Sequence, residues 1–243
     1  MKKDSLTVIL AIWKRDYLSK QIDCMLAQTI KADHIIVFQN ENHINAGPIV
    51  DSYKQRGHNV SLIQSRDINF KFHGRYVIPL LLDTEFTAIF DDDTMPGPKW
   101  IENCFRVHRK YNCIVGANGR IITGLDSPDI GYSDGHPVKE DTLVDFVGHC
   151  CFFKTEWCRN MWRIRPATWE NGEDIDLAAA NEIYAGIKCY VAKQPIDDID
   201  SWGDTESELG RDAIATWRTT THTSLRSDVK KYWMDKGWKP LLL

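Results

Sequence analysis

The sequence predicts an α/β fold, with helices on both faces of one mostly parallel sheet in a single domain. Three observations carry this prediction. Short β-branched runs alternate along the chain with segments whose apolar residues recur at helical spacing. The run Thr87-Ala88-Ile89-Phe90 is nearly all apolar, as strands covered on both faces are. A chain of 243 residues, 43% hydrophobic and 26% charged, can bury one sizeable core but is too short for two such domains and a linker.

The elements follow in order. Residues 6–12 are a β-branched strand, and residues 17–27 place Leu18, Ile22, Met25 and Leu26 on one helical face. Residues 34–38 give a second strand, completing a βαβ opening. Residues 48–57 read as a helix closed by Gly57, and 60–63 as a third strand. Residues 76–82 have helical apolar density, with Pro79 near the first turn. Residues 86–90 are a buried strand that runs straight into Asp91-Asp92-Asp93. The second half is less regular: a helix over 99–111, strands over 113–116 and 120–123, and a polar loop rich in Gly, Pro and Asp over 124–142. A strand over 143–153, a helix over 173–185 and a tail from 197 rich in charge and tryptophan complete the chain. Loops as long as 124–142 in compact domains are usually functional.

Composition excludes several classes. The net charge is −4 with acids and bases interspersed, so the basic footprint of nucleic-acid binding is absent. Seven cysteines without CxxC spacing, two of them adjacent at Cys150-Cys151, read as buried core residues of a reduced compartment. The first apolar run ends at Trp13 and is followed by Lys14, Arg15 and Asp16, unlike a secretory leader. No run approaches the ~18 apolar residues of a membrane span. The expectation is a cytoplasmic protein with no transmembrane segment.

Three like charges at the end of a buried strand repel one another unless a cation neutralises them. Carboxylates suit Mg²⁺ or Mn²⁺, which typically combine one or two protein carboxylates with substrate phosphates. In parallel sheets ligands sit at the carboxyl ends of the strands, which is where Asp91-Asp92-Asp93 falls. A solvated turn before Pro96 is the plain alternative. The D-x-D-x-T frame of haloacid-type phosphatases fails here, because Met95 stands where the threonine should be.

The opening Val8-Ile9-Leu10-Ala11-Ile12-Trp13-Lys14-Arg15, then Gln28-Thr29 and Ile35-Ile36-Val37, resembles the nucleotide-binding start of family 2 glycosyltransferases. Arg75-Tyr76, Pro79, Thr84-Glu85, Asp91-Asp92-Asp93-Thr94 and Ile114-Val115-Gly116 are similar to the catalytic domain of exostosin-like glycosyltransferases. Val147-Gly148, Phe152-Phe153 and Asn171-Gly172-Glu173-Asp174-Ile175 continue that series. It departs from the exostosin pattern at Gly172, in chain length and in the tryptophan-rich tail.

The resemblance implies a GT-A fold, Rossmann-like, with a nucleotide-binding half over about 1–95 and an acceptor-side half over about 96–243. It implies transfer of a sugar from a nucleotide-sugar donor, with UDP-sugar the first expectation, to a saccharide acceptor. Ala11, Trp13 and Arg15, with Asn40 and Glu41, then hold base and ribose. Asn69, Lys71 and Arg75 meet base and phosphates, Arg75 as the group that stabilises the departing diphosphate. Asp93 is the expected direct ligand of Mn²⁺ or Mg²⁺ and Asp91 faces the ribose or donor sugar, while Asp92 takes either part. Glu173 and Asp174, opening a helix, are the expected catalytic carboxylates, with Asp174 preferred. His222 is the expected second metal ligand. His149, Trp169 and Trp202 are expected on the acceptor side, where aromatic faces pack on sugar rings.

Two readings from other classes remain beside this one. A sugar-nucleotide nucleotidylyltransferase would carry a glycine-rich basic loop after the first strand, and Ala11-Ile12-Trp13-Lys14-Arg15-Asp16 has no glycine. A non-catalytic carbohydrate-binding protein of the same fold would keep sugar binding when Asp93 is lost.

Overall fold

The structure is a computed structural model and describes residues 3–125 and 127–243. Met1 and Lys2, at the start of the chain, and Asp126, in the polar loop, lie outside the described residues.

Strands β1 (Leu6–Ile12), β2 (His34–Asn40), β3 (Val60–Ser65) and β4 (Phe86–Asp91) form a parallel block in the spatial order β3-β2-β1-β4. Val8 lies opposite Ile35 on one side and Ala88 on the other, so β1 has no free edge. That explains its unbroken apolar run. Helices α1 (Leu18–Ala27) and α2 (Ala46–Gln55) make the crossovers.

Between β3 and β4 the expected helix over 76–82 is replaced by two 3-10 turns, His73–Tyr76 and Ile78–Leu81. Pro79 has no N–H to donate, and the segment closes only short bonds, such as Leu80 N–H to Val77 O and Leu82 N–H to Pro79 O.

After β4, α3 (Trp100–Tyr111) leads to β5 (Ile114–Ile121), β6 (Ile130–Tyr132), β7 (Thr142–Val144) and β8 (Phe146–Lys154). Short α4 (Cys158–Met161) and α5 (Glu173–Ala185) precede β9 (Cys189–Val191), and α6 (His222–Met234) lies in the tail. The sheet order is β3-β2-β1-β4-β8-β5-β9-β7, with β6 on β5. β1 to β5 and β9 run one way and β6, β7 and β8 the other, so the sheet is mostly parallel, as expected.

Four local expectations change. The two strands expected at 113–116 and 120–123 are one strand, β5. The strand expected over 143–153 is broken at Asp145, whose buried carboxylate accepts the N–H groups of Ile122 (2.7 Å) and Leu241 (2.8 Å) and turns the chain from β7 into β8. The polar loop contains β6 and a bridge from Val138 to Gln194. The tail folds into α6.

Side chains alternate across the sheet. Val8, Leu10, Ala88, Phe90, Cys150 and Phe152 pack with residues of α1, α2 and α3 on one face. Ile9, Ile89, Cys151 and Phe153 pack with residues of α5 and α6 on the other. The adjacent cysteines thus belong to two different cores, and all seven are free. No helix among the described residues is long and apolar enough to cross a membrane. The carboxyl ends of β1, β2, β4 and β5 and the start of β8 border a cleft of about 840 Å³.

Candidate active site

The acidic triplet turns off the end of β4. Thr94 N–H closes the turn on Asp91 O (3.1 Å), and the buried amide of Gln21, from α1, donates to Asp91 O at 2.6 Å. The three carboxylates then diverge. Asp91 pairs with Arg75. Asp92 turns inward, accepting Trp13 N–H (3.0 Å) and Arg15 Nη1, and burial pushes its carboxyl up to about 7 against the pull of Arg15. Asp92 thus bonds within the protein through both oxygens while still lining the cleft. Asp93 lies 3.0 Å from Arg15 Nη1 through Oδ2, while its Oδ1 is buried with no hydrogen-bond partner.

His149 completes this cluster. Opposite β5 the register shifts, so that Gly116 pairs with Cys151 but Asn118 with Gly148, which inserts one extra residue into β8. His149 occupies that bulge in the left-handed region, at φ 58°. Bulges beside active sites re-aim side chains, and here His149 Nδ1 comes within 3.8 Å of Asp93 Oδ1. Nδ1 is also buried and unpartnered. Asp91, Asp93 and His149 bring one ligand atom each within 4.8 Å of one another. Two buried unpartnered atoms, Asp93 Oδ1 and His149 Nδ1, beside a second carboxylate, that of Asp91, fit a cation, since buried polar atoms are otherwise satisfied. The bulge brings His149, expected on the acceptor side, next to the acids.

The floor of the cleft is a hydrogen-bonded lattice. Glu41 accepts Trp13 Nε1 (2.6 Å) and Asn69 Nδ2 (2.9 Å); Asn40 donates to Asn69 Oδ1 (2.7 Å) and accepts Phe70 N–H (2.8 Å). Ala11, Trp13, Asn40, Asn69, Lys71 and Arg75 line the cleft, and Glu41 supports it from behind. Arg15 also lines it, and its Nε, Nη1 and Nη2 each donate to Asp92 or Asp212, so much of its five-donor fork is engaged within the protein. Arg75 bridges Asp91 and Glu173, the latter at 2.6 Å.

Glu173 and Asp174 form the first turn of α5. Gly172 precedes them at φ 89°, packed so closely on Val229 of α6 that a Cβ would lie 2.8 Å from its side chain. Burial pushes Glu173 above the usual carboxylate range, with Arg75 opposing it. Burial acts on Asp174 in the same direction, but Arg226, bonded to both oxygens at 3.0 and 2.8 Å, and Ile175 N–H outweigh it and hold this carboxyl low. The two neighbours are thereby pushed apart in acidity.

Three expected positions lie outside the Asp91, Asp93 and His149 group. His222 starts α6 beside Asn171, 3.3 Å from its amide, and lines the cleft without joining that group. Trp202 is buried and donates to Pro195 O (2.7 Å), a core anchor rather than a sugar platform. Trp169 packs on His73 and Trp162 outside the cleft lining. Sequence reasoning missed Gly210, Asp212 and Trp217 of the tail, which reach the acidic turn or its rim, and Asn118, Asp129, Asp134 and Lys230 of the far wall. Nothing local marks these residues, because tertiary pairing alone brings them there.

No protein-family model and no curated protein sequence matches the chain. Solved structures do. The structure of S. aureus TarS 1-349 is similar at a TM-score of 0.56 and 15% identity, over 79% of this chain and 61% of that one. GalNAc-T7 with UDP, GalNAc and Mn²⁺ is similar at a TM-score of 0.62 and 9% identity, over 77% of this chain and 41% of that one. The fold is that of GT-A glycosyltransferases. The chain spans less than two thirds of either neighbour, and at these identities the likeness is one of architecture. Within the GT-A fold, the acidic turn, Arg75 and the head of α5 meet in one cleft.

Proposed function

We infer that this chain transfers a sugar from a nucleotide-sugar donor to a saccharide acceptor, with a divalent cation held by Asp91, Asp93 and His149. The observation that carries the reading is the pair of buried unpartnered atoms, Asp93 Oδ1 and His149 Nδ1, at the carboxyl ends of a GT-A sheet. Two carboxylates suit Mn²⁺ and Mg²⁺ alike, and the imidazole favours Mn²⁺. When bound, the cation neutralises charge on the departing diphosphate.

The chain's own residues supply the rest. Trp13, Ala11 and Asn69 receive base and ribose, on a surface held rigid by Glu41 and Asn40. Lys71 and Arg75 add positive charge toward the phosphates, and Arg75, bridging Asp91 to Glu173, keeps the donor and catalytic sides in register. Asp174 stays ionised beside the reacting sugar because Arg226 stabilises its charge, and Glu173, the weaker acid of the two, is the better proton acceptor. A UDP-linked donor is favoured because the GalNAc-T7 neighbour was solved with UDP and Mn²⁺.

Thermal stability in the presence of a panel of nucleotides and nucleotide sugars, with and without Mn²⁺, tests the reading. One UDP-linked ligand should raise the melting temperature only when Mn²⁺ is present, and Asp93→Ala should abolish the shift. Sugar binding that survives Asp93→Ala with no nucleotide effect would replace the transferase with a carbohydrate-binding role.

A further inference from the structure

Arg15 is a cation that already occupies the acidic turn. Its Nη1 donates to Asp92 and lies 3.0 Å from Asp93 Oδ2, while Nε and Nη2 donate to the two oxygens of Asp212 at 2.7 and 2.9 Å. One guanidinium thus carries three carboxylates, two from the end of β4 and one from the tail, 197 positions away. Its side chain is 10% exposed, so water screens these charges poorly. Asp93 is shared: Oδ2 faces Arg15, and Oδ1 faces His149 Nδ1 at 3.8 Å.

Two cations on one carboxylate repel each other. Asp212 offsets that repulsion by returning a negative charge to Arg15. It is held in place by a tail segment that packs on the acid itself, since a Cβ on Gly210 would lie 2.7 Å from Asp93 Oδ2. Resting on the cation site argued above, we propose that Arg15 and Asp212 set its affinity in opposite directions, Arg15 lowering it and Asp212 raising it. Both act on the cation site as positioning residues: neither is one of its three ligands, and each acts through Asp93. Seating of the tail segment is then what makes the site receptive.

Titration of the purified chain with Mn²⁺ alone, following free Mn²⁺ by electron paramagnetic resonance, tests this without any substrate. Asp93→Asn provides the zero. Arg15→Gln should bind Mn²⁺ about tenfold more tightly, Asp212→Asn about threefold more weakly, and Arg15→Lys within about twofold of the wild type, as expected for one unit charge a few ångströms from a divalent ion. In the Arg15→Gln background, Asp212→Asn should have a smaller effect than in the wild type. A merely structural role gives the opposite sign for Arg15→Gln, because losing the anchor of Asp92 loosens the turn. That result, or an Asp212→Asn variant with wild-type affinity, overturns the proposal while leaving the cation site standing, provided the wild type binds Mn²⁺ and Asp93→Asn does not. If neither the wild type nor Arg15→Gln binds Mn²⁺, the site and the proposal fall together. Should Arg15→Gln fail to fold by circular dichroism, Asp212→Asn decides alone, since Asp212 is one-third exposed.

Discussion

Arg75 spans the two acids of the cleft floor, Asp91 and Glu173, and only 12% of its side chain reaches water. Removing one member of such a buried group leaves the others uncompensated. Arg75→Met should therefore cost about 3–5 kcal/mol in urea unfolding, and adding Glu173→Gln should recover part of the loss by removing one orphaned charge. Asp174 shows the same logic through pH. Arg226 holds its folded-state pKa below the ordinary value, so the pair stabilises the fold above about pH 4, the unfolded-state value, and that contribution fades as pH falls through the folded-state value. Urea melts stepped from about pH 7 to about pH 3 should show an acid loss of stability that Asp174→Asn lacks. At this scale the acidic triplet was legible because a run of like charges after an apolar strand is a local signal. The inward turn of Asp92 was not, because it depends on Trp13 N–H and Arg15 from the segment after β1.

Strand β8 shows why an element carries function beyond its residues. Its apolar run marks a strand, but its bulge exists only against β5, where one residue opposes two. His149 accepts a left-handed backbone there, which costs a non-glycine residue of order 1–3 kcal/mol. His149→Gly should leave stability unchanged or raise it by up to about 1 kcal/mol, since relief of strain is partly offset by the greater freedom of the unfolded chain, while Mn²⁺ affinity falls. Calorimetric melting and metal titration on one preparation would check both halves. Helix α6 escaped the sequence for a related reason. Its buried residues are few, Val229, Lys230 and Trp233, and Lys230 is buried only because Asp129 of the polar loop accepts from it twice, at 2.7 and 2.8 Å. Helix α5, by contrast, was read to its ends, since Glu173 and Gly186 mark both termini.

For the molecule as a whole, the two cores are separated by a sheet whose central strands have no free edge. Amides of Val8, Ile9, Leu10, Ala88 and Ile89 should exchange with solvent last in hydrogen-exchange measurements, and those of β3 and β6, at the sheet's margins, early. Early protection of β6 over β1 would contradict this order. The parallel block was legible because each of its strands announces itself locally and short connections leave few ways to wind it. The order of β8, β5, β9 and β7 was not, because those strands are assembled from distant stretches of chain. This difference has a consequence during synthesis. Residues 6–91 leave the ribosome before β5 to β9, and three of their four strands, β3, β2 and β1, pair only within this block, so the end of β4 and Arg15 can come together early. Asp212 and Arg226 emerge much later. A nascent chain paused before residue 205 therefore holds its aspartates with Arg15 alone and lacks the wall that completes the cleft, so translation itself delays the site until residues 207–230 are made.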